Sequence, residues 1–123
     1  MPLRRTDDSV ENDFRAGWDW SQQYFAMLFD NWGKNDRALQ FIAELRRAGY
    51  DRKLRAGQSH ELFMVSRSRS YGLREDQAWV GFLFGGEVMN VQERLSVVLE
   101  NADVALSPRI EEVLARLLEH PID

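Results

Sequence analysis

The sequence contains no cysteine. That excludes disulfide frameworks, thiol nucleophiles and the common cysteine-based zinc sites together. Histidine is nearly as scarce. His60 and His120 lie far apart, and no HxxxH or similar ligand spacing joins them. No apolar run approaches the roughly 18–20 residues that cross a bilayer. The opening "MPLRRTDDSVEND" has two arginines but no apolar core behind them, which argues against a secretory leader. These absences lead to the expectation of a soluble chain in the cytoplasm, with no membrane contact, no metal and no cofactor.

Catalytic groupings are also missing. "GWDW" and "GFLFGG" hold glycines but not the strand–glycine–helix order of a phosphate loop. Ser59 beside His60 is no nucleophile–base pair, because neighbouring strand side chains point apart. The acidic pairs Asp7-Asp8, Glu75-Asp76 and Glu111-Glu112 fall in a tail, a turn and a first helical turn. None is placed across a cleft from another, as acid–base hydrolysis needs. No catalytic residue is named, and the chain is expected not to be an enzyme.

What the sequence does hold is core material. Apolar residues make up 44% and charged residues 29% of 123 positions, the balance of a globular domain. Residues 1–12 are polar and aperiodic, and they are expected to form a flexible tail ahead of one α+β domain over 13–123. In "DFRAGWDWSQQYFAMLFDNWG", Phe14, Trp18, Ser21, Phe25, Leu28, Phe29 and Trp32 recur at helical spacing. Gly17 weakens the first turn, so the firm helix is expected from about Trp18, with Gly33 as its stop. A second helix follows, with Asn35 as cap and Leu39, Phe41, Ile42, Ala43 and Leu45 toward the core. Arg46 and Arg47 close it, and Gly49 supplies its left-handed end.

From Tyr50 the pattern turns to strands. "ELFMVSRS", "QAWVGFLF", "EVMNV" and "RLSVVLE" are rich in β-branched and aromatic residues. Gly85-Gly86 is a two-residue hairpin signal, and "NAD" ends the last strand. Residues 51–60 suit either a short edge strand or a basic loop. In "LSPRIEEVLARLLEHPID", Ser107 caps and Pro108 starts a helix. Ile110, Val113, Leu114, Leu117 and Leu118 form its stripe, and Pro121 ends it. The fold class is therefore α+β: a three- or four-stranded antiparallel meander packed against two N-terminal helices and one C-terminal helix. Helices on one sheet face would leave Phe82, Phe84, Met89 and Val91 on an exposed apolar face.

Charge is unevenly spread. Residues 46–74 hold eight basic residues (Arg46, Arg47, Arg52, Lys53, Arg55, Arg67, Arg69 and Arg74) against Asp51 and Glu61. The rest of the chain is acidic, and the net charge is −4. In the strand reading, Arg67 and Arg69 emerge beside Phe63 and Val65 where the sheet leaves the core. Arg52, Lys53, Arg55, Arg67, Arg69 and Arg74 are then candidates for an anion- or partner-binding patch. The plainer reading is that they blunt a strand end or pair with the acidic segments. Trp20, Tyr24, Tyr71 and Trp79 exceed what one helical stripe or strand face needs, and are candidate aromatic interface residues. The expected function is a small non-enzymatic interaction or regulatory module that binds another protein or a second copy of itself. The alternative is RNA or single-stranded DNA binding through the basic segment.

Overall fold

The structure, a computed structural model, describes residues 2–32, 36–69 and 76–122; in the first helix the side chains described are those of residues 9–29. The described residues form helices α1 (Pro2–Trp32) and α2 (Asp36–Arg47), a 3₁₀ turn (Tyr50–Arg52), strands β1 (Arg55–Ser59), β2 (Leu62–Ser66), β3 (Trp79–Phe84), β4 (Val88–Glu93) and β5 (Ser96–Asp103), and helix α3 (Pro108–Leu118). The sheet is a pure antiparallel meander in the order β1-β2-β3-β4-β5. The class is α+β as expected, with five strands rather than three or four.

The additional strand is β1. "RAGQS" has no β-branched or aromatic residue, so nothing local announces it. It is held from outside. It pairs with β2 through a tight turn at His60-Glu61, where His60 sits at φ 56°. On its other side α1 donates to it repeatedly. Trp18 Nε1 donates to the Leu54 carbonyl at 2.8 Å, Ser21 Oγ to Gln58 Oε1 at 2.8 Å, and Tyr24 OH to the His60 carbonyl at 2.8 Å. Gly17 lets the helix close on the strand: a Cβ there would lie 2.9 Å from the Ala56 carbonyl oxygen. This glycine belongs to a packing contact inside α1, not to a late helix start. The helix backbone begins at Pro2, so it takes in the segment read as a tail, and Val10 is buried.

The stripe of α1 reads as expected, with Phe14, Trp18, Ser21 and Phe25 fully buried. Gly33 and Asn35 lie outside the described residues. Helix α2 buries Ala38, Phe41, Ile42 and Leu45, and Gly49 ends it at φ 93°. Ser107 caps α3 by accepting from the Ile110 amide, with Ile110, Val113, Leu114 and Leu117 beneath. All three helices pack on one sheet face, around Phe63, Val65, Val80, Phe82, Met89 and Val91. Phe41, Phe63 and Phe82 meet there at ring separations of 5.1–6.0 Å. The sheet face expected to be open is therefore the covered one: Phe82, Met89 and Val91 are fully buried and Phe84 packs against the core. The alternation of "VMNVQE" explains this, because its polar residues Asn90 and Gln92 must point the other way.

Strand β5 ends at Asp103, within the "NAD" read as its end, but it is irregular before that. Two register shifts break its pairing with β4, and Asn101 adopts φ 51° with its amide donating to Asn90 Oδ1 at 3.0 Å. Asparagine tolerates that left-handed geometry, so the strand bulges and continues to Asp103.

Candidate functional site

Strand alternation assigns the residues of the open face. Two pairing rows cross it: Gly57–Met64–Gly81–Gln92–Val97 and Ser59–Leu62–Leu83–Asn90. From β1 to β4 neither contains a charged residue, and no described helix packs on them; on β5 the second row meets the bulge of exposed Glu100 and Asn101 opposite Asn90. Trp79 and Leu62 lean over Gly81: a Cβ there would lie 2.7 Å from Trp79 Cζ3 and 3.0 Å from Leu62 Cδ1. Trp79 is thus a half-buried ring lying on the sheet, adjoining Met64 and Leu83. Leu83 is 41% and Val97 47% exposed, and Val88, Val98 and Leu95 are exposed on the adjacent strands and turn. Leu62, Met64, Trp79 and Leu83 form the apolar centre on β2 and β3, flanked by the uncharged polar Asn90 and Gln92 of β4. An apolar centre without charge is the composition of an interface core, whereas scattered exposed apolar residues are ordinary.

The charges lie at the two ends of this face. In a meander, alternate turns gather at opposite ends of the sheet. At one end are Lys53, Arg55, Arg69 and Arg94, together with Asp76 and with Glu93, whose carboxylate Arg116 holds. At the other are Glu61, Glu87 and Asp103, with no basic residue beside them among the described turns. The sheet is polarised along its strands, and its middle is neutral from β1 to β4, with Glu100 at the β5 border.

The sequence candidates sort out against this frame. Arg52 and Lys53 are exposed at the end of the 3₁₀ turn, and Arg69 is exposed beyond β2. Arg55 starts β1 and donates from Nη1 to the Arg69 carbonyl at 3.2 Å. These four lie at the basic end. Arg67 is employed by the fold. Strand β2 stops at Ser66, and the Arg67 guanidinium donates from Nη1 to the Lys53 carbonyl at 2.8 Å and from Nε to the His120 carbonyl at 3.0 Å. Partial burial draws its pKa below the ordinary value, yet an arginine stays charged at neutral pH. Arg46, the first of the basic run, ties α1 and α2 to the 3₁₀ turn through Asp19 at 2.7 Å, Gln22 at 2.6 Å and Asp51 at 3.3 Å. Tyr71 and Arg74 lie outside the described residues.

Of the aromatic candidates, Trp79 belongs to the open face. Tyr24 is a structural residue, with its ring against Phe25 at 5.2 Å and its hydroxyl on His60. Trp20 is 60% exposed on the outer side of α1, two turns before the exposed Met27, and forms a smaller, separate apolar spot. Sequence reasoning passed over Leu62, Met64, Gly81, Leu83 and Val97. The signal that points to them is the pair Asn90 and Gln92, which fixes which strand parity looks outward. Among the described residues no group of three or more His, Asp or Glu gathers as a metal site. No helix among them is long and apolar enough to cross a membrane. Comparison with protein-family models, with curated proteins and with solved structures finds no match to this chain.

Proposed function

We propose that this chain is a non-enzymatic protein-binding module whose docking surface is the open face of the sheet. The observation that carries this reading is the uncharged double row from β1 to β4, centred on Leu83 and the Trp79 ring, on a chain with 29% charged residues. An apolar centre supplies the burial, and charged ends select the partner and its orientation. Site-specific photocrosslinking in cells tests it. A crosslinking residue at position 83 is expected to give a discrete protein adduct, and one at position 27 on α1 is expected to give none. The opposite pattern refutes the assignment.

A second reading draws on the basic end, where Arg55 donates to the Arg69 carbonyl and shares a pairing row with Trp79, and where Arg52 and Lys53 precede β1. Guanidinium groups beside an aromatic platform suit single-stranded nucleic acid, whose phosphates and bases they would contact together. Its signature is binding of labelled RNA or single-stranded DNA that falls steeply with salt and disappears in Arg52→Glu/Arg69→Glu. Salt-independent or absent binding at low ionic strength refutes it.

A further inference from the structure

We infer that the occupant of the open face is a second copy of this chain, packed face to face about a two-fold axis that lies in the interface and runs perpendicular to the strands. The inference rests on the docking face proposed above and adds the partner's identity and orientation.

Charge placement selects the axis. Lys53, Arg55 and Arg69 lie at one end of the strands, and Glu61, Glu87 and Asp103 at the other. A two-fold axis parallel to the strands would set basic end on basic end and acidic end on acidic end. An axis perpendicular to them sets each basic end on the acidic end of the other copy, twice over. The uncharged parts of the rows, from β1 to β4, then meet in the middle, with β3 crossing β3, and Leu83 approaches Gly81 and Trp79 of the second copy. Such isologous contacts are the commonest route to a dimer. Two twisted sheets stacked this way keep their strand axes within about 30° of each other, an ordinary sandwich geometry.

The dimensions are sufficient. Five strands at about 4.8 Å spacing and six residues at about 3.4 Å rise give a face of about 24 by 20 Å. Two such faces remove about 1,000 Å² from water, the lower bound of a specific interface. A reversible dimer with a micromolar dissociation constant is expected rather than an obligate one.

Charge reversal tests both identity and orientation. Variant one, Arg55→Glu/Arg69→Glu, makes both ends acidic. Variant two, Glu61→Arg/Glu87→Arg, makes both ends basic. All four positions lie at the ends of strands or in turns, and circular dichroism checks that the fold is kept. By sedimentation equilibrium, wild type is expected to dimerise in the micromolar range. Each variant alone is expected to dimerise at least tenfold more weakly, and an equimolar mixture of the two to dimerise as wild type does. The mixture restores both end contacts at once, so its recovery also shows that neither variant is unfolded.

Wild type that stays monomeric at hundreds of micromolar overturns the second copy as occupant. The docking reading survives that result if a crosslinker at position 83 captures a different protein. Adducts at position 83 to nucleic acid alone overturn both readings. A dimer that persists in Leu83→Arg has its interface elsewhere and also overturns both. A dimer lost in Leu83→Arg but indifferent to charge reversal overturns the orientation.

Discussion

Gly17→Ala sets two physical effects directly against each other. Replacing an interior helical glycine by alanine ordinarily stabilises a helix by about 1 kcal/mol. Position 17 is inside α1, and from the helix alone the substitution should help. The neighbour across the layer says otherwise. The new Cβ would stand 2.9 Å from the Ala56 carbonyl oxygen, a backbone atom of β1 that no rotamer change can move. Several tenths of an ångström must come from sliding α1 off β1. That slide stretches the buried bond from Trp18 Nε1 to the Leu54 carbonyl and the neighbouring bond from Ser21 to Gln58. Overpacking of this kind costs about 1–3 kcal/mol, so the expected balance is a net loss of about 1 kcal/mol. For a chain of this size that lowers the melting temperature by about 3–6 °C. Gly57→Ala is the control on the same strand, because nothing lies within 4 Å of its Cβ and its φ is not left-handed. It should gain about 0.5–1 kcal/mol from the stiffer unfolded chain. Urea titration followed by tryptophan fluorescence reads both variants. A Gly17→Ala protein as stable as the Gly57→Ala protein would refute the flush seating of α1 on β1.

Three further outcomes follow from contacts already described. Arg67→Met removes the donors of the Lys53 and His120 carbonyls. Both can partly rehydrate, so a loss of about 1 kcal/mol is expected. Amide exchange should quicken in the last turn of α3, and unchanged exchange there would count against the strap. Tyr50 has its phenol pKa raised above 10.0, first by burial and then by the Glu111 carboxylate. The folded state therefore favours the neutral ring, and that contribution is complete below the unfolded value near pH 10 and lost as pH rises through the higher folded value. Urea midpoints should fall between pH 9 and 11 more steeply in wild type than in Tyr50→Phe, and equal slopes would contradict this. Gly81→Ala meets only side-chain ends, Trp79 Cζ3 and Leu62 Cδ1. It should cost less than about 1 kcal/mol while lifting the Trp79 ring off the sheet. In a Trp20→Phe background, acrylamide quenching should rise, and unchanged quenching would mean the ring does not rest on Gly81.

The helices were legible in the sequence because their buried stripes alternate with charge. The buried positions of α1 and α3 fall where Phe14, Trp18 and Phe25, and Ile110 to Leu117, put them. The sheet was harder for a reason that lies in β2 and β3 themselves. "LFMV" and "WVGFLF" are apolar on both parities, so alternation cannot say which side meets the helices. Only Asn90 and Gln92 in β4 carry that sign, and the register transmits it to the other strands. Strand β1 was left open between an edge strand and a loop because its support comes from Trp18, Ser21 and Tyr24, more than thirty positions earlier. The basic cluster was half legible. Arg55 does reach the Arg69 carbonyl, but the side-chain partners of Arg46 and the carbonyl partners of Arg67, which take both into the framework, are invisible in composition. So is the acidic end of the sheet, assembled from turns that are far apart in the chain.

The bulged β5 edge limits how this molecule can assemble. A flat outer strand with free amides is a template, and each copy that adds to it offers a fresh one, so growth has no stopping point. Here one border of the sheet is kinked twice and turned at Asn101, while at the other the carbonyls of Leu54 and His60, which flank β1, accept from α1, and Gly17 of α1 sits against Ala56 within the strand. A bulged border on one side and a helix-braced strand on the other are poor templates for a further strand, so edge-to-edge growth into a fibre is disfavoured at both borders of this sheet.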